Sequence, residues 1–396
     1  MSTTIVDVLV IGGGVIGSSI AYHLARKGLQ VLVVERWQVA TEPAASWASA
    51  GGVRRQGRHP AEARLASEAI ERWPSLEQEL EADLHYRQGG NLLLAESDHE
   101  AEELETFVRL QQEHGFVDVW LLDRQEVYEL VPGVNERVVA GSYSSLDGQA
   151  DPARTTCAFA NAAQRHRAEY RTKTRVLALL KQGERIIGAR VAHTEFEEIQ
   201  AGHVVLAAGA WSDEIAATIG LRLPIRMNAL QMLLSSPAAP NLLRPVLSAL
   251  SRNLSLKQLP DGAFLLGGGW PGGILFDRSS YTLLPGSIDG NWTTACELFP
   301  AVAQQQMVRA WCGLEAESID DIPFVGTLPG WDGLTLALGF SGHGFAISPA
   351  IGRCVADQIM GLSVPELDGL KPERIATFAP SQVEAFLASV DSSSAG

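Results

Sequence analysis

Residues 7–36 read DVLVIGGGVIGSSIAYHLARKGLQVLVVER, and the order of features in this stretch decides the fold. Asp7 to Ile11 is a short apolar run ending in glycines, the pattern of a buried strand. From Ile16 to Lys27 the residues Ile16, Ile20, His23 and Leu24 recur on one helical face, and Gly28 supplies the stop. Val31 to Val34 is a second buried strand. Between the first strand and the helix, Gly12-Gly13-Gly14-Val15-Ile16-Gly17 fits G-x-G-x-x-G. Glu35 lies 21 residues beyond Gly14, at the end of the second strand, where a dinucleotide-binding βαβ unit carries its acidic residue. Gly12 permits the tight turn, Gly14 lets the backbone approach a pyrophosphate, and Gly17 lets helix and strand pack closely. The helix N-terminus, opened by Val15 and Ile16, offers free N–H groups and a partial positive charge to phosphates. Glu35 would accept hydrogen bonds from ribose hydroxyls, with Arg36 beside it. A glycine turn alone is a weak signal. The bland reading, a tight strand–helix turn with a surface Glu35, needs four agreeing features to coincide by chance.

The fingerprint does not separate FAD from NAD. A second segment, GLTLALGFSGHGFAISPAIGR at 333–353, bears on that choice. A strand runs into Gly339, Gly342 and Gly344, and a helix follows, with Ser348 expected as N-cap and Pro349 at its first position. A second glycine-rich helix start, far along the chain, suits a long cofactor with a second polar end. It favours FAD over an NAD-dependent dehydrogenase, and a yellow protein with visible flavin bands would exclude the latter.

Further along, 61–84 and 98–114 read as helices, and the Glu-rich second stretch is a solvated face. Short strands are expected at 174–180, 186–191, 204–208 and 334–338. The runs 254–258 and 263–266 flank Pro260-Asp261-Gly262 and form a hairpin. The tail from Ser389 to Gly396 is expected to be disordered.

Six segments together resemble the D-amino acid oxidase superfamily of flavoproteins, including glycine oxidase, monomeric sarcosine oxidase and the beta subunits of heteromeric amine dehydrogenases. They are IGGGVIGSSIAYHLARKG with Glu35, ASWASAGGVRR at 45–55, VVLAAGAWS at 204–212, DGAFLLGG at 261–268, RAWCGLEAESIDDIPFVG at 309–326 and GFSGHGFAISPAIGR at 339–353. The resemblance spans about 5 to 380. It implies an α/β fold with an added antiparallel sheet: a Rossmann-like FAD-binding domain of glutathione-reductase type and a discontinuous substrate domain. The FAD domain would combine 1–85, 145–215 and 325–380, the substrate domain 86–144 and 216–324, and 381–396 would be a C-terminal tail. The implied chemistry is hydride removal from the carbon beside an amine, followed by hydrolysis of the imine. The cofactor carries the hard step, in keeping with a sequence that shows no Ser/His/Asp triad and no metal-ligand spacing.

The same resemblance selects residues. Ser46, Ser49, Ala50, Gly51 and Gly52 precede or border a flavin, and Val176, Ala208, Gly209 and Trp211 join the cofactor contacts. So do Cys312, Gly313, Phe345, Ala346 and Ile347, with His343 facing either flavin and substrate or its own backbone. Arg54 and Arg55 are the substrate candidates, because a guanidinium forks a carboxylate through two parallel hydrogen bonds. Their alternative is a surface ion pair or a contact to a phosphate or partner. Lys257, one of five lysines, sits where related oxidases speed reaction with oxygen, or else it faces solvent. Cys312 stands where monomeric sarcosine oxidase bonds its flavin. Burial beside Trp311 opposes a thiolate there, so FAD is expected to be noncovalent and Cys312 a small buried hydrophobe.

Two departures matter. Ala346 occupies the place of a carboxylate-binding lysine in monomeric sarcosine oxidase, so the arginines do that job or the substrate differs. Asp151-Pro152-Ala153 lacks the histidine that links FMN in one heteromeric beta chain, so an FMN at an interface with an alpha subunit would not be attached there. Bulk composition fits this picture. Net charge is −15, from 31 Lys+Arg against 46 Asp+Glu, which argues against nucleic acid and anionic membrane as partners. Four cysteines in 396 residues make no disulfide framework, and the chain reads as cytoplasmic. The first residues run straight into a fold element without signal-peptide features, and no apolar run approaches about 18 residues.

Overall fold

The computed structural model describes residues 4–389. The βαβ unit forms as read: strand Thr4–Ile11, helix Val15–Arg26 and strand Val31–Val34. The two strands pair in parallel, with Val8 opposite Val31 and Ile11 opposite Val34. Their side chains alternate between two cores. Val8, Val10, Val31 and Val33 pack under the helices on one face, while Leu9, Ile11, Leu32 and Val34 pack against Val204 and Leu206 on the other. Burial on both faces explains why these strands read as continuous apolar runs rather than alternating ones. The helix between them is likewise buried from Val15 to Ala25, not on one face only, because the Gly344–Ile359 and Pro152–Arg165 helices cover its other sides.

Thr4–Ile11 is central in a sheet ordered Phe324–Thr327, Leu334–Leu338, Phe196–Leu206, Thr4–Ile11, Val31–Val34, Glu169–Arg171. All neighbours in it are parallel except the first pair. A meander of Arg175–Gln182 and Arg185–Ala192 extends from Phe196–Leu206. The second sheet has eight strands in the order Met307–Ser318, Ile225–Pro237, Ala263–Gly267, Ser255–Gln258, Val246–Ala249, Asn91–Ala95, Ala140–Ser144, Val119–Asp123. It is antiparallel apart from the Val246–Ala249 and Asn91–Ala95 pair. A third core of Leu92, Leu233, Leu247, Leu256, Phe264 and Phe299 lies under it. The α/β-plus-antiparallel fold class is therefore present. The 254–258 and 263–266 hairpin is among its strands.

Two helix expectations change. The late helix runs Gly344–Ile359, so its start precedes Ser348 by four residues, and Pro349 lies inside it. A proline there leaves the Phe345 carbonyl without its intrahelical donor. The buried Ser348 hydroxyl donates to that carbonyl at 2.9 Å and makes the proline tolerable. Ser348 is thus a patch within the helix rather than its cap. At the C-terminus, Pro380–Ala388 is a helix rather than tail, and Ser389 ends it. The remainder of the expected disordered tail lies outside the described residues. No helix among the described residues is long and apolar enough to cross a membrane.

Candidate functional site

A cavity of about 610 Å³ runs from the glycine turn to the second sheet. Its first end is the βαβ unit. Gly12 has φ +104, and a Cβ there would collide with the Ala207 carbonyl. A Cβ on Gly17 would run into the Gly12 carbonyl and sit 3.3 Å from Val10 Cγ1, so any larger residue separates helix from strand. Gly14, Val15 and Ile16 line the cavity, and the Val15 amide donates to Ser46 Oγ at 3.0 Å. Glu35 is held rigidly: the Gly13 and Trp37 amides donate to its two oxygens at 2.7 and 2.9 Å. Burial pushes its carboxyl up from the ordinary carboxylate range, and the two amides pull it back. Each oxygen keeps one lone pair for a ribose hydroxyl. Arg36, Val176, Ala208, Gly209 and Trp211 line the same end, with the Trp37 and Trp211 rings edge-to-face at 4.8 Å.

The middle is walled by Ser49, Ala50 and Gly52 on one side and Gly313, Gly339, Gly342, His343, Gly344 and Phe345 on the other. The last four stand at the start of the Gly344–Ile359 helix, so the unpaired amides of its first turn lie at the cavity wall. These features fit FAD: a glycine cradle at one helix start for the pyrophosphate, an acidic residue for the ribose, and a second helix start one cavity-length away for the flavin. Gly12, Gly14, Val15, Ser46 and Glu35 would hold the ADP half, and the 49–52 and 339–345 segments the ring.

Beyond the ring position the cavity meets the second sheet and becomes charged. Arg54 lines it, with the carboxylates of Asp147 and Glu62 offsetting part of the cost of burial. Arg58 lines it too. Burial and the Arg54 charge pull its pKa down to about 9, and its Nη1 has no hydrogen-bond partner among the described residues. His343 Nδ1 lies 3.3 Å from Glu62 Oε2 without an aligned hydrogen bond. Burial, then the Arg58 charge, lowers the pKa of the imidazole, while Glu62 opposes them. Across from them, Leu230, Gln231, Met232, Ser248 and Leu254 form an apolar wall in which Gln231 Nε2 and Ser248 Oγ are buried without partners among the described residues.

Several expected residues lie elsewhere. Arg55 does not face the cavity. Its guanidinium contacts Asp118 and stacks 4.5 Å over the Phe116 ring, and its backbone amide donates to Asp147 at 2.8 Å. Cys312 is fully buried on the opposite face of its strand, in a cluster with Met227, Ala229 and Leu314. Burial pushes its thiol up to about 12, so no thiolate is available for a flavin bond. Gly51, Ala346 and Ile347 stand behind the wall, the Ala346 carbonyl accepting from Trp73 Nε1 at 2.8 Å. Gly17 acts through packing. Lys257 does not reach solvent. It is 4% exposed behind Gly51, with Nζ 3.4 Å from the Ala150 carbonyl, and burial lowers its pKa to about 8.

Sequence reasoning gave no role to Arg58, Glu315, Gln231, Ser248 or Asn91, all on the cavity wall. Glu315 had a usable signal: it lies two residues after Gly313 on one strand, hence on the same face.

Comparison with known proteins agrees with this geometry. Glycine oxidase of Pseudomonas aeruginosa is 31% identical over 366 residues, covering 89% of this chain and 94% of that protein. One of the opine oxidase subunits of Agrobacterium tumefaciens is 28% identical over 371 residues, covering 89% and 93%. The crystal structure of L-proline dehydrogenase from P. horikoshii superposes with a TM-score of 0.86 at 27% identity, over 95% of this chain and 99% of that one. Residues 7–358 match the model of the DAO family, described as FAD dependent oxidoreductase, and the chain belongs to that family.

Proposed function

We propose that this chain oxidises a small amine that carries a carboxylate, either a secondary amine of opine, hydroxyproline or N-methylglycine type or a D-amino acid. The carrying observation is the far end of the cavity, where Arg54 and the incompletely partnered Arg58 face a chamber whose wall includes Leu230, Met232 and Leu254. In a chain of net charge −15 such a basic pocket calls for an anionic group. Bound FAD supplies the two-electron acceptor. Arg54 would fork the carboxylate and so fix the substrate's α-carbon against the ring position. Leu230, Met232 and Leu254 exclude water while the hydride leaves, and the imine hydrolyses afterwards. Lys257, buried behind Gly51 and close to the ring segment, would influence reoxidation rather than substrate binding.

We further propose that the chain works as the catalytic component of a hetero-oligomer, supported by its similarity to a protein whose name makes it one of the subunits of an opine oxidase. The alternative, a self-sufficient oxidase, is supported by the higher identity to glycine oxidase. Hydrogen peroxide formed one-for-one with product by the isolated chain decides for the alternative. Anaerobic bleaching of the flavin across amino acids, opines and N-methyl amines tests the reaction itself. Bleaching by no amine, or only by amines without a carboxylate, sinks it.

A further inference from the structure

Arg54 would take the substrate carboxylate, and the substrate nitrogen has no partner yet. Glu315 stands on the cavity wall in the Met307–Ser318 strand. Gly313, two residues earlier on the same face, packs against Ala45 and Ala48, so this face points into the ring region. Gly342, at φ +78, brings bare backbone toward the carboxyl: a Cβ there would lie 3.7 and 3.8 Å from its two oxygens. No arginine among the described residues answers this charge. The nearby Arg226 is taken by Glu317, to which it donates at 2.9 and 3.1 Å, and the residue directly opposite Glu315 is the neutral Asn228.

A carboxylate on a cavity wall without a cation is a costly arrangement unless a ligand supplies the cation. We propose that Glu315 receives the nitrogen of the substrate: its carboxylate pairs with the ammonium group and takes one N–H proton, leaving a neutral amine. The inference rests on the amine-oxidation reading. The transfer moves one proton and no electrons: an ammonium and a carboxylate become an amine and a carboxylic acid. The lone pair freed on nitrogen then supports departure of the α-hydrogen as hydride. An amino acid would thus span the chamber with its carboxylate on Arg54 and its nitrogen on Glu315.

The protonation behaviour suits the task. Burial pushes the Glu315 carboxyl up to about 7, Glu317 adds to this, and the Gly342 amide opposes it. The other charged groups on the surrounding elements are Arg226, paired with Glu317, and Arg54, Arg58, Glu62 and His343 at the cavity end. Burial lowers the pKa of His343, and Glu62 opposes the shift. A base whose pKa lies near ambient pH is well matched to proton transfer.

The test uses the purified, flavin-loaded protein and 2-methylalanine, an amino acid with no α-hydrogen, beside its nitrogen-free analogue 2-methylpropanoate. Binding is read from the flavin spectrum. Glu315→Gln is expected to lose about ten-fold or more in 2-methylalanine affinity and to hold 2-methylpropanoate unchanged within about two-fold. For an oxidised substrate, flavin reduction by the wild type should rise with pH through about 7, and Glu315→Gln should lack that rise while Glu315→Asp keeps part of it. Equal loss of both ligands, or an unaltered pH profile in Glu315→Gln, overturns the proposal, as does failure of the wild type to bind 2-methylalanine. If no amine bleaches the wild type but 2-methylalanine binding still depends on Glu315, the oxidation reading fails and the nitrogen site stands.

Discussion

Replacing Lys257 by Met should stabilise the protein at neutral pH, and the size of the effect follows from its surroundings. The side chain is 4% exposed, its ammonium group donating to the Ala150 carbonyl at 3.4 Å, with the Asp151 charge offsetting part of the burial cost. Desolvation takes its pKa from the ordinary 10.5 to about 8. At about 1.4 kcal/mol per pH unit, that difference makes the charged lysine cost about 3 kcal/mol. Below pH 8 both folded and unfolded chains are protonated, and the full cost applies. Between 8 and 10.5 the unfolded chain still binds the proton and the folded one does not, so stability rises with pH. Above 10.5 the cost is gone. A chain of 396 residues unfolds with an entropy of about 0.8 kcal/mol/K, so 3 kcal/mol corresponds to about 4 °C. Met is close in volume and adds no charge. Thermal melts of wild type and Lys257→Met at pH 7 should therefore differ by about 4 °C in favour of Met, narrowing to about 1 °C by pH 10. A gap that does not depend on pH, or a variant that melts lower at pH 7 and stays lower at pH 10, refutes the buried, charge-penalised lysine.

Other substitutions separate cofactor, substrate and packing roles. Glu35→Ala should weaken FAD by about 10- to 150-fold, the worth of a hydrogen bond to a charged acceptor, read by titrating apoprotein with FAD; unchanged affinity would remove Glu35 from the ribose site. Arg54→Met should raise the half-saturating substrate concentration strongly with flavin content intact, whereas Arg55→Met should lower stability by about 3–5 kcal/mol by stranding Asp118, with little change in half-saturation once folded. The opposite pattern in denaturant and kinetic assays would exchange their roles. With the Cys312 thiol held at about 12, acid precipitation should leave the yellow colour in the supernatant; colour in the pellet that Cys312→Ala abolishes would contradict this.

What the sequence made legible was local. Strand, glycine turn, helix, strand and acidic residue fall within 30 consecutive residues, so each signal supports the next. The hairpin around Pro260-Asp261-Gly262 is equally local, and its register, Gln258 opposite Phe264, is set by the turn. By contrast Ile225–Pro237 and Met307–Ser318 pair over their length although some 70 residues separate them. Nothing short-range marks either as a strand: Arg309, Glu315, Glu317, Asn228 and Gln231 interrupt the apolar pattern. Glu315 and Gln231 serve the cavity wall, Glu317 is held by Arg226, and Arg309 lies over the Trp47 and Trp311 rings. Ser348-Pro349 misled for the reverse reason. The pair carries a genuine helix-start signal, yet the hydroxyl repairs the proline's missing hydrogen bond from inside the helix.

At the site, the errors and the successes come from one property of extended chain: neighbouring side chains point to opposite sides. Arg54 and Arg55 are chemically equivalent and adjacent, so composition cannot choose between them. Their surroundings do, since Asp118 and the Phe116 ring claim Arg55 and leave Arg54 to the cavity. The same alternation separates Cys312 from Gly313. Gly313 and Glu315 share the face that meets the Ala45–Ala48 helix, and Cys312 lies on the other. The covalent-flavin candidate and the carboxyl now proposed to meet the substrate nitrogen are thus decided by a single parity along one strand. Shifting that strand's register by one residue against Ile225–Pro237 would exchange them. It would carry Gly313 away from Ala48 and set the Cys312 side chain against the Ala45–Ala48 helix, where even a Cβ does not fit. The tight contact at Gly313 therefore fixes which face of the strand meets the Ala45–Ala48 helix, and with it the side on which Glu315 stands.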